Sequence, residues 1–190
     1  MDIEIDAEAK DKRLNRLVAL TVVALSIVMG LGQVKDGNIV QAMQQAQSNA
    51  VDRWGEYQAT REKLHIDETA LAQNGVLARM GGAAVAAPTH AEAARLTAEI
   101  AKYKRETVEL KTAAQGFQAQ YDALNVHDDQ FDASDAFLSI AISIAAVSAL
   151  TESFAALYGG WVAGALGLTM SLAGFFGWSL HSDVLSRLLG

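Results

Sequence analysis

LVALTVVALSIVMGLGQV, running from Leu17 to Val34, holds no charged residue over 18 positions. A helix rises 1.5 Å per residue and needs about 20 residues to cross the hydrocarbon core of a bilayer. Two flanking residues close the gap. Lys10, Lys12, Arg13 and Arg16 stand before the stretch, and Lys35-Asp36-Gly37 follows it. A secretory signal peptide would have a shorter apolar region, about 7–15 residues, ending in a small-x-small cleavage site. No A-x-A sequence of that kind is present, so the stretch predicts an uncleaved transmembrane anchor over 17–34.

Two further apolar runs lie in the last third of the chain. Ala136 to Leu150, extended by Thr151, is short, so its helix is expected to begin near Asp132. Phe154 to Leu180 carries no charge at all. Only Thr151-Glu152-Ser153 separates them, which predicts a tight transmembrane hairpin with spans at 132–151 and 154–180 and a C-terminal tail at 181–190. Four basic residues precede the first span, and none lies within 20 residues before the second. The positive-inside rule then places residues 1–16 in the cytoplasm and the segment 35–131 on the outer side.

The composition agrees with this division. The 190 residues are 51% apolar and 19% charged, whereas soluble domains carry about 25% charged residues. The excess apolar content sits at the two ends of the chain. There is no cysteine, so disulfide and thiol chemistry are absent. The net charge of −7 argues against nucleic acid, which requires a basic face. A single proline, Pro88, favours long uninterrupted helices.

The middle predicts a helical hairpin. Leu96, Ile100, Tyr103, Thr107, Leu110, Ala114, Phe117, Tyr121 and Leu124 alternate steps of four and three, a heptad seam of the coiled-coil type. Thr89 followed by Glu92 fits a capping box with Pro88 just outside. Ile39, Met43, Ala46, Ala50, Trp54, Tyr57, Leu64 and Leu71 form a less regular stripe on a preceding helix, with Asn74-Gly75 as its expected stop. The segment Gly81 to Pro88 reads as a flexible tip. The fold class expected is therefore an all-α membrane protein: three transmembrane helices plus a long antiparallel, coiled-coil-like hairpin outside the bilayer.

A lone pair of helices would leave part of the aromatic seam wet, so Trp54, Tyr57, Phe117 and Tyr121 are expected contact residues for self-association or for another membrane subunit. Gly160, Gly164 and Gly167 in the third span form a small-residue face of the GxxxG kind, which packs closely in lipid. Membrane lipids, further copies of the chain or other membrane-protein subunits are the expected partners. No cofactor is implied.

The densest titratable patch is HDDQFDASDA, His127 to Ala136. Asp128, Asp132 and Asp135 fall at i, i+4 and i+7 on one helical face, and His127 adds a nitrogen, so a calcium or magnesium site, or a metal-dependent membrane enzyme, is the alternative reading. The simpler reading is that these carboxylates cap and complement a helix N-terminus, with Asp128 or Asp132 as N-cap. Glu62-Lys-Leu-His65 is a single E-x-x-H, and a di-iron bundle requires two with further glutamates. His90 reads as a surface residue beside the cap. His181 and Asp183, just past the last span beside Trp178, are too sparse for a catalytic pair. Beyond Asp132 and Asp135 in the wet first turn of the second span, only Glu152, at the turn, is charged along the apolar runs, which argues against an ion pathway formed by this chain alone. A non-enzymatic assembly role is the expectation.

The stretches AMQQAQSNAVDRWGEYQA (42–59), YDALNVHDDQF (121–131) and FGWSLH (176–181) resemble a bacterial membrane-protein family catalogued as a domain of unknown function, number 4337. The resemblance implies one N-terminal span, a helical middle carrying a Trp-x-x-Tyr-Gln pattern, a C-terminal pair of spans and a bacterial inner membrane. It implies no activity and no functional residues.

Overall fold

The computed structural model describes residues 2–178. The expected end of the third span at Leu180, the tail 181–190, His181 and Asp183 lie outside the described residues. Three helices account for nearly all of the rest: α1 at Asp2–Met80, α2 at Ala83–Leu150 and α3 at Phe154–Phe176. No strand occurs among the described residues. Each helix contains a stretch long and apolar enough to cross a membrane. The 23 residues of α3 rise about 35 Å, slightly more than the roughly 30 Å of a hydrocarbon core.

The helices are longer than the sequence signals suggest. The expected stop at Asn74-Gly75 fails, and α1 continues to Met80. Asn74 is buried, and its Nδ2 donates to the Thr89 carbonyl at 2.8 Å, so the side chain that would have capped the helix is engaged by the partner helix. The expected tip is a helix as well. Only Gly81-Gly82 interrupts the chain, with Gly82 at φ 63°, a conformation that costs glycine little. The alanines that follow favour helix, and α2 begins at Ala83.

The capping box at Thr89 is also overturned. Thr89 Oγ1 donates back to the Val85 and Ala86 carbonyls at 2.8 and 3.0 Å, and Pro88 lies inside α2. There its missing N–H forfeits one bond close to the helix start. No helix begins near Asp132, since α2 runs unbroken through it.

The turn at Thr151-Glu152-Ser153 is as tight as expected. Glu152 takes a left-handed φ of 52°, and the Ser153 side chain caps α3 by accepting from the Ala156 N–H. Gly177, at φ 67°, closes the helix with its N–H on the Ala173 carbonyl.

Two compact units result. One takes the chain up to Met43 and from Asp122 onward; the other is Gln44–Tyr121. The first is a three-helix unit that extends beyond the apolar segments by about two turns of both α1 and α2, to Met43 and from Asp122. Its interior holds Leu14, Val18, Ala145 and Leu157 at one level and Leu25, Leu138 and Ala141 at another. The second unit is an antiparallel hairpin of α1 against α2, fixed by the Asn74 bond to Thr89 and by Lys104 Nζ at 2.9 Å from Glu68 Oε1.

Candidate interaction faces and the acidic stretch

In the three-helix unit, glycines set how closely the helices approach. A Cβ added at Gly160 would lie 3.2 Å from the Ala141 carbonyl, one at Gly164 3.3 Å from Leu25, and one at Gly167 2.8 Å from Leu138. All three glycines are buried against α1 and α2 of the same chain. The face that the sequence offered for assembly is therefore an internal one, and the expected packing of another chain on it is replaced by packing within the chain. The side chains add polar ties between helices. Ser134 Oγ donates to the Gly167 carbonyl at 3.0 Å, and Trp161 Nε1 to Thr21 Oγ1 at 2.9 Å.

The stretch from His127 to Ala136 lies at one end of this unit, in mid-helix. Phe131 is its apolar centre, 3% exposed. Its ring rests against the faces of Gly32 and Gly174 and meets Phe175 edge-on at 5.3 Å. A Cβ at Gly174 would fall 2.7 Å from the ring. One phenylalanine from α2 thus keys together glycines of α1 and α3.

Several polar residues of the stretch are engaged by separate partners. Gln130 Nε2 donates to the Trp178 carbonyl at 2.7 Å, and His127 Nδ1 lies 3.2 Å from Gln130 Oε1. Asp135 accepts from Gln33 Nε2 at 3.0 Å. Asp128 shares a hydrogen bond with Asp36 of α1. Partial burial, then that bond, then the charges of Asp36 and Asp129, push the Asp128 carboxyl up to about 6. Asp36 is also raised, by burial and by Asp132 and Asp135, with the bond from Asp128 working the other way. When the pair holds one proton, Asp128 donates it to the Asp36 carboxylate, whose Oδ1 is buried without a hydrogen-bond partner.

These placements answer the two sequence readings of the patch. Capping fails because the carboxylates lie about 45 or more residues inside α2, where the backbone N–H groups are already bonded along the helix. As a cation site, His127, Asp128, Asp132 and Asp135 are not gathered: among the described residues no three His, Cys, Asp or Glu side chains converge as metal ligands. Glu62 and His65 lie on the outside of α1, in a shallow depression with Tyr57, Gln58 and Arg61.

In the hairpin, the seam is the one its heptads describe on α2, with Leu96, Ile100 and Ala114 buried. Trp54, Tyr57, Tyr103, Phe117 and Tyr121 are only half-buried, and Trp54 meets Tyr57 edge-on at 5.4 Å. The seam of α1 is more polar than the stripe suggested, because Thr60 and Asn74 are buried in it and Asp67 faces Glu99. Burial and then the Glu99 carboxylate raise Asp67, against the pull of Arg95. Steps of four and three from Ile39 through Thr60, Asp67 and Asn74 would have found these positions, but a scan for apolar residues alone passes over them.

Two open grooves flank the seam. One, of about 610 Å³, is lined by Arg53, Glu56 and Lys63 of α1 and by Glu106, Glu109 and Phe117 of α2, among others. The other, of about 420 Å³, lies on the opposite flank and includes Tyr57, Arg61, Val108 and Lys111.

The fold and these contacts define an all-helical, membrane-associated chain whose helices are tied together by glycines and short polar bridges in one unit and by a heptad seam in the other. A family model described as Domain of unknown function (DUF4337) matches residues 14–177, and the chain belongs to that family. No curated protein and no solved structure matches it.

Proposed function

We propose that this is a non-enzymatic integral membrane protein of the bacterial inner membrane, spanning it three times, with the helical hairpin outside the bilayer on the periplasmic side. Its role is assembly, either as a homo-oligomer or as an accessory subunit of a larger membrane complex. The membrane part of the reading is supported by the outward faces of the apolar segments: Leu20, Val23, Ile27 and Leu31 of α1 and Val162, Leu166 and Leu172 of α3 are exposed. Such a belt is costly in water and at home in lipid. Aromatic residues gather towards both ends of α3, with Phe154, Tyr158 and Trp161 at one and Phe175, Phe176 and Trp178 at the other, as membrane interfaces favour.

The observation that carries the assembly role is the unfinished hairpin. Two helices leave its aromatic seam half-covered, and Val51, Ile66 and Val108 stand exposed on it. Aromatic side chains left half-covered along a seam offer a face for a further helix. The test is to purify the tagged full chain from its native membrane in mild detergent and read particle mass and protein composition together. A multiple of the chain mass, or foreign subunits in fixed ratio, is the expected result. A single chain with no stoichiometric companion would sink the assembly role.

Topology has its own test, made simple by the absence of cysteine. A single cysteine introduced as Thr97→Cys, exposed and outside both grooves, should react with a membrane-impermeant maleimide added to intact spheroplasts, while Lys12→Cys should react only after the membrane is opened. The reverse pattern would place the hairpin in the cytoplasm.

A further inference from the structure

The two grooves of the hairpin differ in charge. The larger is lined by three glutamates, Glu56, Glu106 and Glu109, against Arg53 and Lys63, and the Arg53 guanidinium is committed to Glu56 at 2.7 Å. The smaller carries Arg61 and Lys111 and no acidic residue among its lining side chains. The apolar relief is complementary as well. Val108, 66% exposed, projects from the basic groove, while the acidic groove has small residues, Ala59 and Ala113, beside Leu110.

The two grooves also occupy the same stretch of the hairpin. Arg61 and Lys111 lie on α1 and α2 within two residues of Thr60 and Leu110, which sit on the other flank of the same seam. Copies inserted in one membrane with one topology are related by an axis along the membrane normal, so residues at equal height face one another. Height therefore brings Arg61 and Lys111 of one copy opposite Glu106 and Glu109 of the next. A face that differs from the one it meets makes a heterologous contact, which propagates and closes as a ring where the rotation allows.

We propose that the basic groove of one hairpin docks into the acidic groove of a second copy, with Val108 as the central knob, so that the chain forms a cyclic, head-to-tail homo-oligomer through its hairpins. This rests on the assembly reading above and selects its homo-oligomeric form. Opposite charges at the rim set which faces meet and the register. The apolar centre, once covered, supplies the affinity. Glu106 is held at 3.7 Å by Lys102 of its own helix, an exposed pair that contributes little by itself and can exchange partners.

The test uses the full chain in native membranes. Ala59 lines the acidic groove and Val108 the basic one, and no native cysteine interferes. The double variant Ala59→Cys/Val108→Cys, oxidised mildly, should give a ladder of covalent dimer, trimer and higher species. Each single variant should remain uncoupled. A dimer from Val108→Cys alone would show like faces meeting and would overturn the head-to-tail arrangement.

Charge exchange supplies the second arm, in the unmodified background. Glu106→Lys/Glu109→Lys and, separately, Arg61→Glu/Lys111→Glu should each weaken assembly by about tenfold or more, and all four together in one chain should restore it. Failure of the fourfold variant to recover assembly, with helix content unchanged by circular dichroism, would overturn the pairing. A native mass showing an oligomer without the ladder removes this interface and leaves the assembly role standing. A native mass of one chain removes both.

Discussion

Gly167 and Leu96 are both buried helix–helix contacts, and they work in opposite ways. At Gly167 the absence of a side chain lets α3 approach α2 until a single added carbon would overlap Leu138. At Leu96 a large apolar side chain fills the seam of the hairpin. The three-helix unit relies on close backbones and short polar bridges such as Ser134 to Gly167 and Gln33 to Asp135. The hairpin relies on a heptad seam edged by exposed ion pairs, Arg95 with Glu92 and Glu99 and Lys104 with Glu68. On the function proposed above, solvent explains the contrast. In lipid, burying a leucine gains nothing over leaving it among acyl chains, so dispersion at short range and interhelical hydrogen bonds remain. In water, removing apolar surface stabilises at about 25 cal/mol per Å², and the charged rims stay hydrated.

The contrast is most severely tested at Gly167. Gly167→Leu should unfold or rearrange the three-helix unit, costing about 3 kcal/mol or more through overpacking, because the clash is with the Leu138 backbone nitrogen as well as its side chain. The thermal midpoint in detergent should fall by tens of degrees or the protein should fail to accumulate. A normal midpoint would mean that the helices separate at no cost and that close approach does not hold this unit.

A smaller effect is expected at the Asp36–Asp128 pair. The Asp128 carboxyl titrates near 6, above its ordinary 3.8, so the folded chain binds the proton more tightly than the unfolded one. Stability from this group is complete below about 4 and is lost as pH rises through about 6. Asp128→Asn keeps a donor to Asp36 without the titration. The variant should gain of order 1 kcal/mol at pH 7.5, a value discounted for the partial exposure of the site, and should lose the decline in stability between pH 4 and 6. An unchanged pH profile would show that the two carboxyls do not share a proton.

The smallest effect belongs to the hairpin rim. Arg95→Ala removes two ion pairs to Glu92 and Glu99, yet all three side chains are exposed, and the thermal midpoint should be nearly unchanged. A midpoint lowered as far as Asp128→Asn raises it would mean that the seam depends on this network, by way of Asp67, which Arg95 holds against the raising effect of Glu99.

Much of this is legible in the sequence. Charge-free runs at 17–34 and 154–176 mark helices that can cross a membrane, and the regular steps from Leu96 to Leu124 lay out the seam of α2 whatever helix lies against it. Punctuation is harder to read because its signals are local. Asn74-Gly75 resembles a stop, Pro88-Thr89 a start and Asp128 or Asp132 a cap, but each of these side chains is occupied by something distant or by the helix it sits in. Asn74 reaches Thr89, Asp128 reaches Asp36, and helix continues because nothing in the backbone requires it to end.

The sequence alone determined the class of the chain, since periodicity and the distribution of charge are properties of consecutive residues, and they dictate helix, seam and apolar span. What only the tertiary structure decided is the use of each face. Phe131 became the key between Gly32 and Gly174, the glycine stripe of α3 was spent within the chain, and Asp36 met Asp128 across 92 positions of sequence. Contacts of that kind depend on which helix arrives opposite, and at what register, and no stretch of one helix carries that information.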